Sequence, residues 1–428
     1  MKVLITTDCY VPTINGVVVS TMNLKNELMK RGHEVKILTL SETRHSYEKE
    51  GDIYIGSTGA SFVYPEARIT FPRNNRFIQE LINWKPDIVH SQSEFSTFIM
   101  ARRIAKKLQI PILHTYHTIY EDYTHYFSPV EKWGKAFVIT FTNSILKNVQ
   151  SVIAPSEKVK NLLKSYGFTG EIHVIPTGID IEKFNIQDQI KNREKLKSRL
   201  GISNQDKILI MVGRLAKEKN HEEILHYFKK LNRNDSKLII IGDGPNRSNL
   251  ESYVNELGIC KDVVFTGMVP HEEIGGYYQM GDVFVSASSS ETQGLTYFEA
   301  LANGIPVVCR KDDCLTNIVK NDVNGWQYET FEQFNEQIDI VLNHKGSDFY
   351  RTARESFCKD YSLATFAQKI EMTYLEMITA YKKIEILDLG IPFEGRMTGD
   401  EKEKYKKSHE CYNDSNYNHN LVFCRLRR

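Results

Sequence analysis

Short runs rich in β-branched residues alternate with longer amphipathic segments along almost the whole chain. This alternation predicts strand–helix units that build parallel sheets covered by helices on both faces. In the first half, strands are expected near KVLITT, EVKILTL, DIVHS, PILHTY, SVIAP and HVIPTG. Helices are expected over residues 17–31, 95–108, 130–148 and 157–165. The first of them stops at Gly32 after a basic last turn, where glycine takes the left-handed conformation without steric cost.

After PTGIDIEKF the periodicity is lost for about ten polar residues, and a linker is placed there. A second series then begins at KILIMVGR and continues through KLIIIGDGP, VVFTG, DVFVSAS and PVVCR, each followed by a helical pattern. Two successive doubly wound α/β domains, Rossmann-like and facing a cleft, are the simplest architecture for this order. The expected boundaries are 1–180 for the first domain and 181–383 for the second, with the final helix packing back on the first. Residues 384–428 read as a tail. Its His409, Cys411, His419 and Cys424 fit no zinc-finger or ribbon spacing.

The 428-residue length suits two domains, and a 41% hydrophobic content supplies material for more than one core. A net charge of +1 gives no whole-molecule electrostatic argument for nucleic acid as a partner. Residues 1–180 carry 21 basic and 17 acidic side chains, against 34 and 37 in the remainder, so the first half is the more basic. No run approaches about 18 uninterrupted apolar residues, and the amino terminus enters a strand-like run without a signal-peptide core. Seven scattered cysteines without a Cys-x-x-Cys pair suit a reducing compartment, and a cytoplasmic location is expected. Nothing in the sequence sets an oligomeric state.

Ligands of doubly wound sheets sit beyond the carboxyl ends of the strands, so the loops there carry the candidate chemistry. Asn15-Gly16-Val17 opens the first helix, where a glycine lets backbone N–H groups approach an anion, although a plain turn would read the same way. Arg214 and Lys219 lie on one loop after ILIMV and suit a pyrophosphate, the guanidinium as a fork and the ammonium as a point charge, although two solvated charges would read the same way. In SETQGLTYFEALANG, Glu291 falls in a loop, Gly294-Leu295-Thr296 opens a helix and Glu299 sits inside it. Such an order can hold a sugar, a phosphate and a diol in sequence, although a capped helix with two exposed acids would read the same way. No Asp-x-Asp occurs, which removes the usual carboxylate pair that holds a divalent ion against a nucleotide sugar.

The stretch from Glu291 to Glu299 resembles the Glu-x7-Glu element of retaining glycosyltransferases with the GT-B fold, and GRLAKEKN resembles their phosphate-binding loop. TYHTIYEDYTHY, SETQGLTYFEA and RKDDCLTNIV look like those of bacterial 1,2-diacylglycerol 3-glucosyltransferases. The likeness extends over roughly residues 1–383. It implies retaining transfer of a hexose, glucose first, from a UDP-sugar to the 3-hydroxyl of diacylglycerol, with no cofactor and no essential metal. It also implies roles. Arg214 and Lys219 would bind the donor pyrophosphate with help from Gly294, Leu295 and Thr296, and Glu299 would accept from the ribose hydroxyls. Glu291 would lie by the transferred sugar, Gly16 would let the first loop approach, and His117 would face the cleft. Tyr120, Glu121 and Tyr123 fall in the acceptor-side string.

A lipid acceptor demands membrane contact, expected as peripheral attachment to an anionic inner face of the cell membrane. EKWGKAFVITFTNSILKNV, with Lys132, Lys135, Lys147, Trp133, Phe137 and Phe141, reads either as an interfacial helix or as a core helix. KKLQ and KNELMKRG add basic surface. Rival readings are a hexosyltransferase acting on a glycan or glycolipid, a UDP-sugar epimerase, and a non-catalytic sugar-nucleotide binder.

Overall fold

The computed structural model describes residues 1–13, 15–60, 68–70, 75–121, 131–184, 189–270, 272–344, 354–355 and 357–388. Residues 1–368 form one compact unit, and those from 369 onward are grouped separately. The strands before residue 180 are β1 (Lys2–Thr6), β2 (Glu34–Leu40), β3 (Tyr47–Lys49), β4 (Asp52–Ile55), β5 (Thr58–Gly59), β6 (Arg68–Ile69), β7 (Ile88–Ser91), β8 (Ile112–Thr115), β9 (Ser151–Ala154) and β10 (Glu171–Val174). Between them lie α1 (Gly16–Lys30), α2 (Arg76–Trp84), α3 (Ser96–Leu108), α4 (Glu131–Leu146) and α5 (Glu157–Ser165). The second half holds β11 (Lys207–Val212), β12 (Ser236–Ile241), β13 (Val263–Gly267), β14 (Val283–Ser286), β15 (Val307–Arg310) and β16 (Gly325–Tyr328). Its helices are α6 (Gln189–Arg199), α7 (His221–Leu231), α8 (Arg247–Leu257), α9 (Ile274–Met280), α10 (Leu295–Ala302) and α11 (Phe331–His344), followed by α12 (Leu363–Asp388).

Two sheets result. The first runs β10-β9-β8-β7-β1-β2-β4-β3, parallel except for β3, and the second runs β13-β12-β11-β14-β15-β16, parallel throughout. β1 sits between its two partners with Ile5 opposite Ile37 on one side and His90 on the other. Chain order reverses between β1 and β7 in the first sheet and between β11 and β14 in the second, which makes those two points the crevices where ligands bind. Strand interiors are apolar on both faces, as burial by helices on each side requires: Leu4, Ile5, Ile208, Leu209 and Ile210 are fully buried.

The expected linker is a structured passage. Residues 189–199, polar almost all round, form α6, because Gln, Lys, Arg, Glu and Leu favour helix. Leu196 packs against the second core, and Lys197, 1% exposed, donates to the carbonyls of Asn204 and Asp206. β16, built from GWQY, and β4, built from DIYI, are short runs that the sequence reading had not marked as strands.

The two halves are joined by backbone-directed hydrogen bonds. Gln293 Oε1 accepts from the Thr177 N–H at 2.8 Å while its Nε2 donates to the Thr177 carbonyl at 2.9 Å. Ser156 Oγ donates to the Thr292 carbonyl. Lys158 donates to the Ser289 carbonyl at 2.8 Å and to Asp312 at 2.7 Å. Both passages between the halves lie side by side, since the Ile179 N–H donates to Tyr361 and the Leu363 N–H donates back to Ile179. The loop that precedes α10 is therefore fixed to the first half by three of its residues.

Candidate active site

At the second crevice, the loop after β11 carries Arg214, which is exposed, and Lys219. The loop after β14 carries Glu291. Lys219 Nζ donates to Glu291 Oε1 at 2.6 Å, and Ser288 Oγ donates to the same oxygen at 2.8 Å. Burial pushes the Glu291 carboxyl up, but the ammonium groups of Lys219 and Lys158 and the Ser288 hydroxyl outweigh it and hold the carboxyl below the usual range. Glu291 is therefore a charged carboxylate with two donors on its Oε1.

Three residues further on, Gly294 caps α10 at φ +77°, and a Cβ there would meet Tyr297 at 2.6 Å. Leu295 and Thr296 follow as the first helical residues, whose N–H groups point out of the helix start. Across from them, Asn15 caps α1 through its side chain to the Val18 N–H, and a Cβ on Gly16 would stand 3.5 Å from Leu295 Cδ1. The structure thus brings Gly16 against the start of α10. Glu299 lies one turn further along, where Tyr278 OH donates to its Oε2 at 2.7 Å. Burial pushes the Glu299 carboxyl up to about 7, with the Tyr278 hydrogen bond acting the other way.

The first crevice lies at the carboxyl ends of β1, β7 and β8. His117 Nε2 meets Gln92 Oε1 at 2.7 Å, so that nitrogen carries the proton. Burial pushes the His117 imidazole down to about 4 and keeps it neutral at pH 7. Tyr120 OH donates to Glu94 Oε2 at 2.6 Å, and Glu121 accepts from Tyr166 OH at 2.7 Å. Tyr123 lies outside the described residues.

Asp8, Gln92 and Glu94 escaped the sequence reading. Asp8 follows β1 and accepts the backbone N–H groups of Thr97 at 2.9 Å and Phe95 at 3.2 Å, so it caps α3 from another strand. Burial pushes its carboxyl up to about 6, partly countered by those two N–H groups. Glu94, the one acid in HSQSEFS, looks like a loop acid, and the one available signal was its place just past a buried strand.

α4 combines both readings of its segment. Val138, Ile145 and Leu146 are buried in the first half's core, while Trp133 is 75% exposed and Phe137 61% exposed. Phe95, at the cap of α3, and Ile99 within it are exposed too, followed by the exposed Arg102, Arg103, Lys106 and Lys107. Among the described residues no helix is long and apolar enough to cross a membrane, and no cluster of three or more His, Cys, Asp or Glu could hold a metal ion.

Residues 14–183 match the model of glycosyltransferase family 4, and residues 192–356 match that of glycosyl transferases group 1. An alpha-monoglucosyldiacylglycerol synthase of Streptococcus pneumoniae is 36% identical over 332 residues, 77% of this chain and 75% of that protein. The enzyme of the same name from Acholeplasma laidlawii is 32% identical over 396 residues, 90% of this chain and 99% of that one. In backbone, the chain is similar to Anabaena Alr3699/HepE, solved in complex with UDP and glucose. The TM-score is 0.67 at 17% identity, covering 87% of this chain and 99% of that one.

Proposed function

The chain belongs to the GT-B glycosyltransferase family that includes the alpha-monoglucosyldiacylglycerol synthases, and on that premise we propose that it transfers glucose from a UDP-sugar to the 3-hydroxyl of 1,2-diacylglycerol with retention of configuration. The observation that carries this reading is the Lys219–Glu291 pair set beside the open first turn of α10. Arg214, Lys219 and the N–H groups of Leu295 and Thr296 hold the donor diphosphate, and their charge stabilises it as it departs. Cations and a helix start do here what a metal does elsewhere, and the reaction needs no divalent ion. The bond from the sugar's anomeric carbon to the diphosphate breaks as the acceptor oxygen bonds on the same face, and the diphosphate oxygen takes the acceptor's proton. Glu291, held by Lys219 and Ser288, positions the sugar and acts as no covalent nucleophile. His117, neutral and oriented by Gln92, faces the sugar from the first domain.

Glu299 accepts the ribose hydroxyls, and this has a pH signature. A carboxyl that titrates at about 7 in the empty site must lose its proton to accept two hydroxyls, so donor binding releases a proton. UDP-glucose affinity is expected to rise by about tenfold between pH 6 and pH 8. Glu299→Gln is expected to remove that dependence. Calorimetry in buffers of differing ionisation heat measures both, and a flat profile in the native protein would contradict the role.

The acceptor is membrane-resident, so the first domain docks peripherally through α4's exposed aromatic face and α3's basic face. Co-sedimentation is expected to be stronger with phosphatidylglycerol vesicles than with phosphatidylcholine, and to fall with salt, which screens exposed charges beyond about 10 Å at ~0.1 M. Equal binding to both vesicle types would remove the electrostatic part. Assay of several UDP-hexoses with diacylglycerol in anionic micelles tests the transfer itself, and activity on a soluble glycan alone would favour the glycan reading.

A further inference from the structure

Gln293 stands just before the glycine that caps α10, and it is 5% exposed. Its amide meets the Thr177 peptide as one strand meets another: Oε1 accepts from the N–H at 2.8 Å while Nε2 donates to the carbonyl at 2.9 Å. Both partners are backbone groups of one residue, so the pair fixes distance and orientation together. An apolar side chain of the same size would fill the space and leave a buried donor and a buried acceptor unpaired.

Thr177 is itself held on two sides. Its hydroxyl meets Ser20 Oγ at 3.2 Å, one turn beyond Gly16 on α1. On the other side, a Cβ on the next residue, Gly178, would lie 2.6 Å from the Ser362 carbonyl oxygen, and Ile179 is paired with Tyr361 and Leu363. Contacts therefore close a ring across the two halves, from Gly16 through Ser20, Thr177 and Gln293 to Leu295, which packs beside Gly16. Ser156 and Lys158 also tie this loop to the first half, but from the start of α5, whereas Gln293 makes the tie that leads to α1.

α10 has its own seat without Gln293. Tyr297, Phe298, Ala300 and Leu301 are buried in the second half's core, Tyr297 OH donates to Ser286, and Tyr278 OH donates to the Thr296 carbonyl. Removing the amide pair would leave the helix start in place and release the first half from it.

We propose that Gln293 is a positioning residue that registers the start of α1 against the start of α10, so that Gly16 and His117 in the first half meet the sugar of a donor held by the second. The role rests on the glucosyl-transfer reading and deepens it. It separates two properties that a loop of merely structural importance would not. UDP is held by Arg214, Lys219, Glu299 and the first N–H groups of α10, all in the second half, whereas turnover needs both halves in register.

Full-length Gln293→Leu and Gln293→Glu proteins are assayed for transfer from UDP-glucose to diacylglycerol at saturating donor, beside UDP binding by calorimetry. Gln293→Leu is expected to lower kcat by about tenfold to a hundredfold, the effect of a small misplacement at the reacting atoms, with UDP affinity within about twofold of the native protein. Gln293→Glu keeps the shape and makes the clasp titratable. Its carboxylate accepts from the Thr177 N–H but has no proton for the carbonyl, and its protonated form restores both bonds. Burial and the facing carbonyl push such a carboxyl up, so the restored form gains population as pH falls. The ratio of its kcat to the native kcat at the same pH is expected to rise about threefold or more from pH 8 to pH 6. A flat ratio overturns the two-bond clasp. Parallel falls of UDP affinity and kcat in Gln293→Leu would make Gln293 part of the seat of α10 and overturn the positioning role. Native protein that transfers to diacylglycerol while both variants match it in kcat overturns this role alone. Native protein inactive on diacylglycerol with every UDP-hexose overturns the functional reading and the role together.

Discussion

Lys219→Ala is expected to lower turnover by about 10²- to 10³-fold, the usual effect of deleting one group that stabilises charge developing in the transition state. The same change leaves Glu291 as a carboxylate 15% exposed with its cation gone. Breaking such a pair from one side costs about 3 kcal/mol or more when it is well buried, so a drop in melting temperature should accompany the lost activity. With Lys219 gone, burial dominates at Glu291 and its carboxyl moves up from its present low range. The two effects separate in the Lys219→Ala, Glu291→Ala double variant, which is expected to regain most of the melting temperature and none of the turnover. Single-variant turnover equal to the native value, measured at saturating donor with chelator present, would contradict the role of Lys219.

Gly242→Ala is expected to cost more than about 4 kcal/mol and to abolish donor binding with it. Gly242 stands at φ +133°, and a Cβ there would lie 2.0 Å from the Gly213 carbonyl oxygen. The neighbour is backbone, so it has no rotamer to yield. The Leu215 N–H donates to the Asp243 carbonyl and the Asn246 N–H donates to Leu215, so the loop after β12 braces the loop that presents Arg214. Gly258→Ala is the control. Its φ of +65° is also left-handed, but no atom lies within 4 Å, and about 1 kcal/mol is expected from backbone strain alone. Urea unfolding measures both, and a Gly242→Ala protein within about 1 kcal/mol of the native one would contradict the bracing.

What the sequence made legible follows from where the signal is local. The Glu291–Glu299 element could be read because a glycine, a helix start and two acids at fixed spacing are all short-range features, and α10 begins at Leu295 where that pattern puts it. Arg214 and Lys219 were visible as two cations on one strand-end loop. The tie of Lys219 to Glu291 was not, since 72 residues separate the two. Asp8 and Glu94 were missed for the same reason: a buried acid and a solvated loop acid are identical in sequence, and only the β1–β7 pairing places them together. α6 failed the periodicity test because its packing rests on few apolar positions, Leu196 chief among them. α4 gave an ambiguous pattern because it serves two environments, a core on one side and an exposed aromatic face on the other.

Glucosyl transfer to diacylglycerol is tested most directly by the linkage of the product made from UDP-glucose and 1,2-diacylglycerol in anionic micelles with chelator present. Proton NMR of the extracted lipid should show one α-linked glucose on the 3-position, formed in step with released UDP. A β-linkage, or UDP release that diacylglycerol does not increase, would contradict the account.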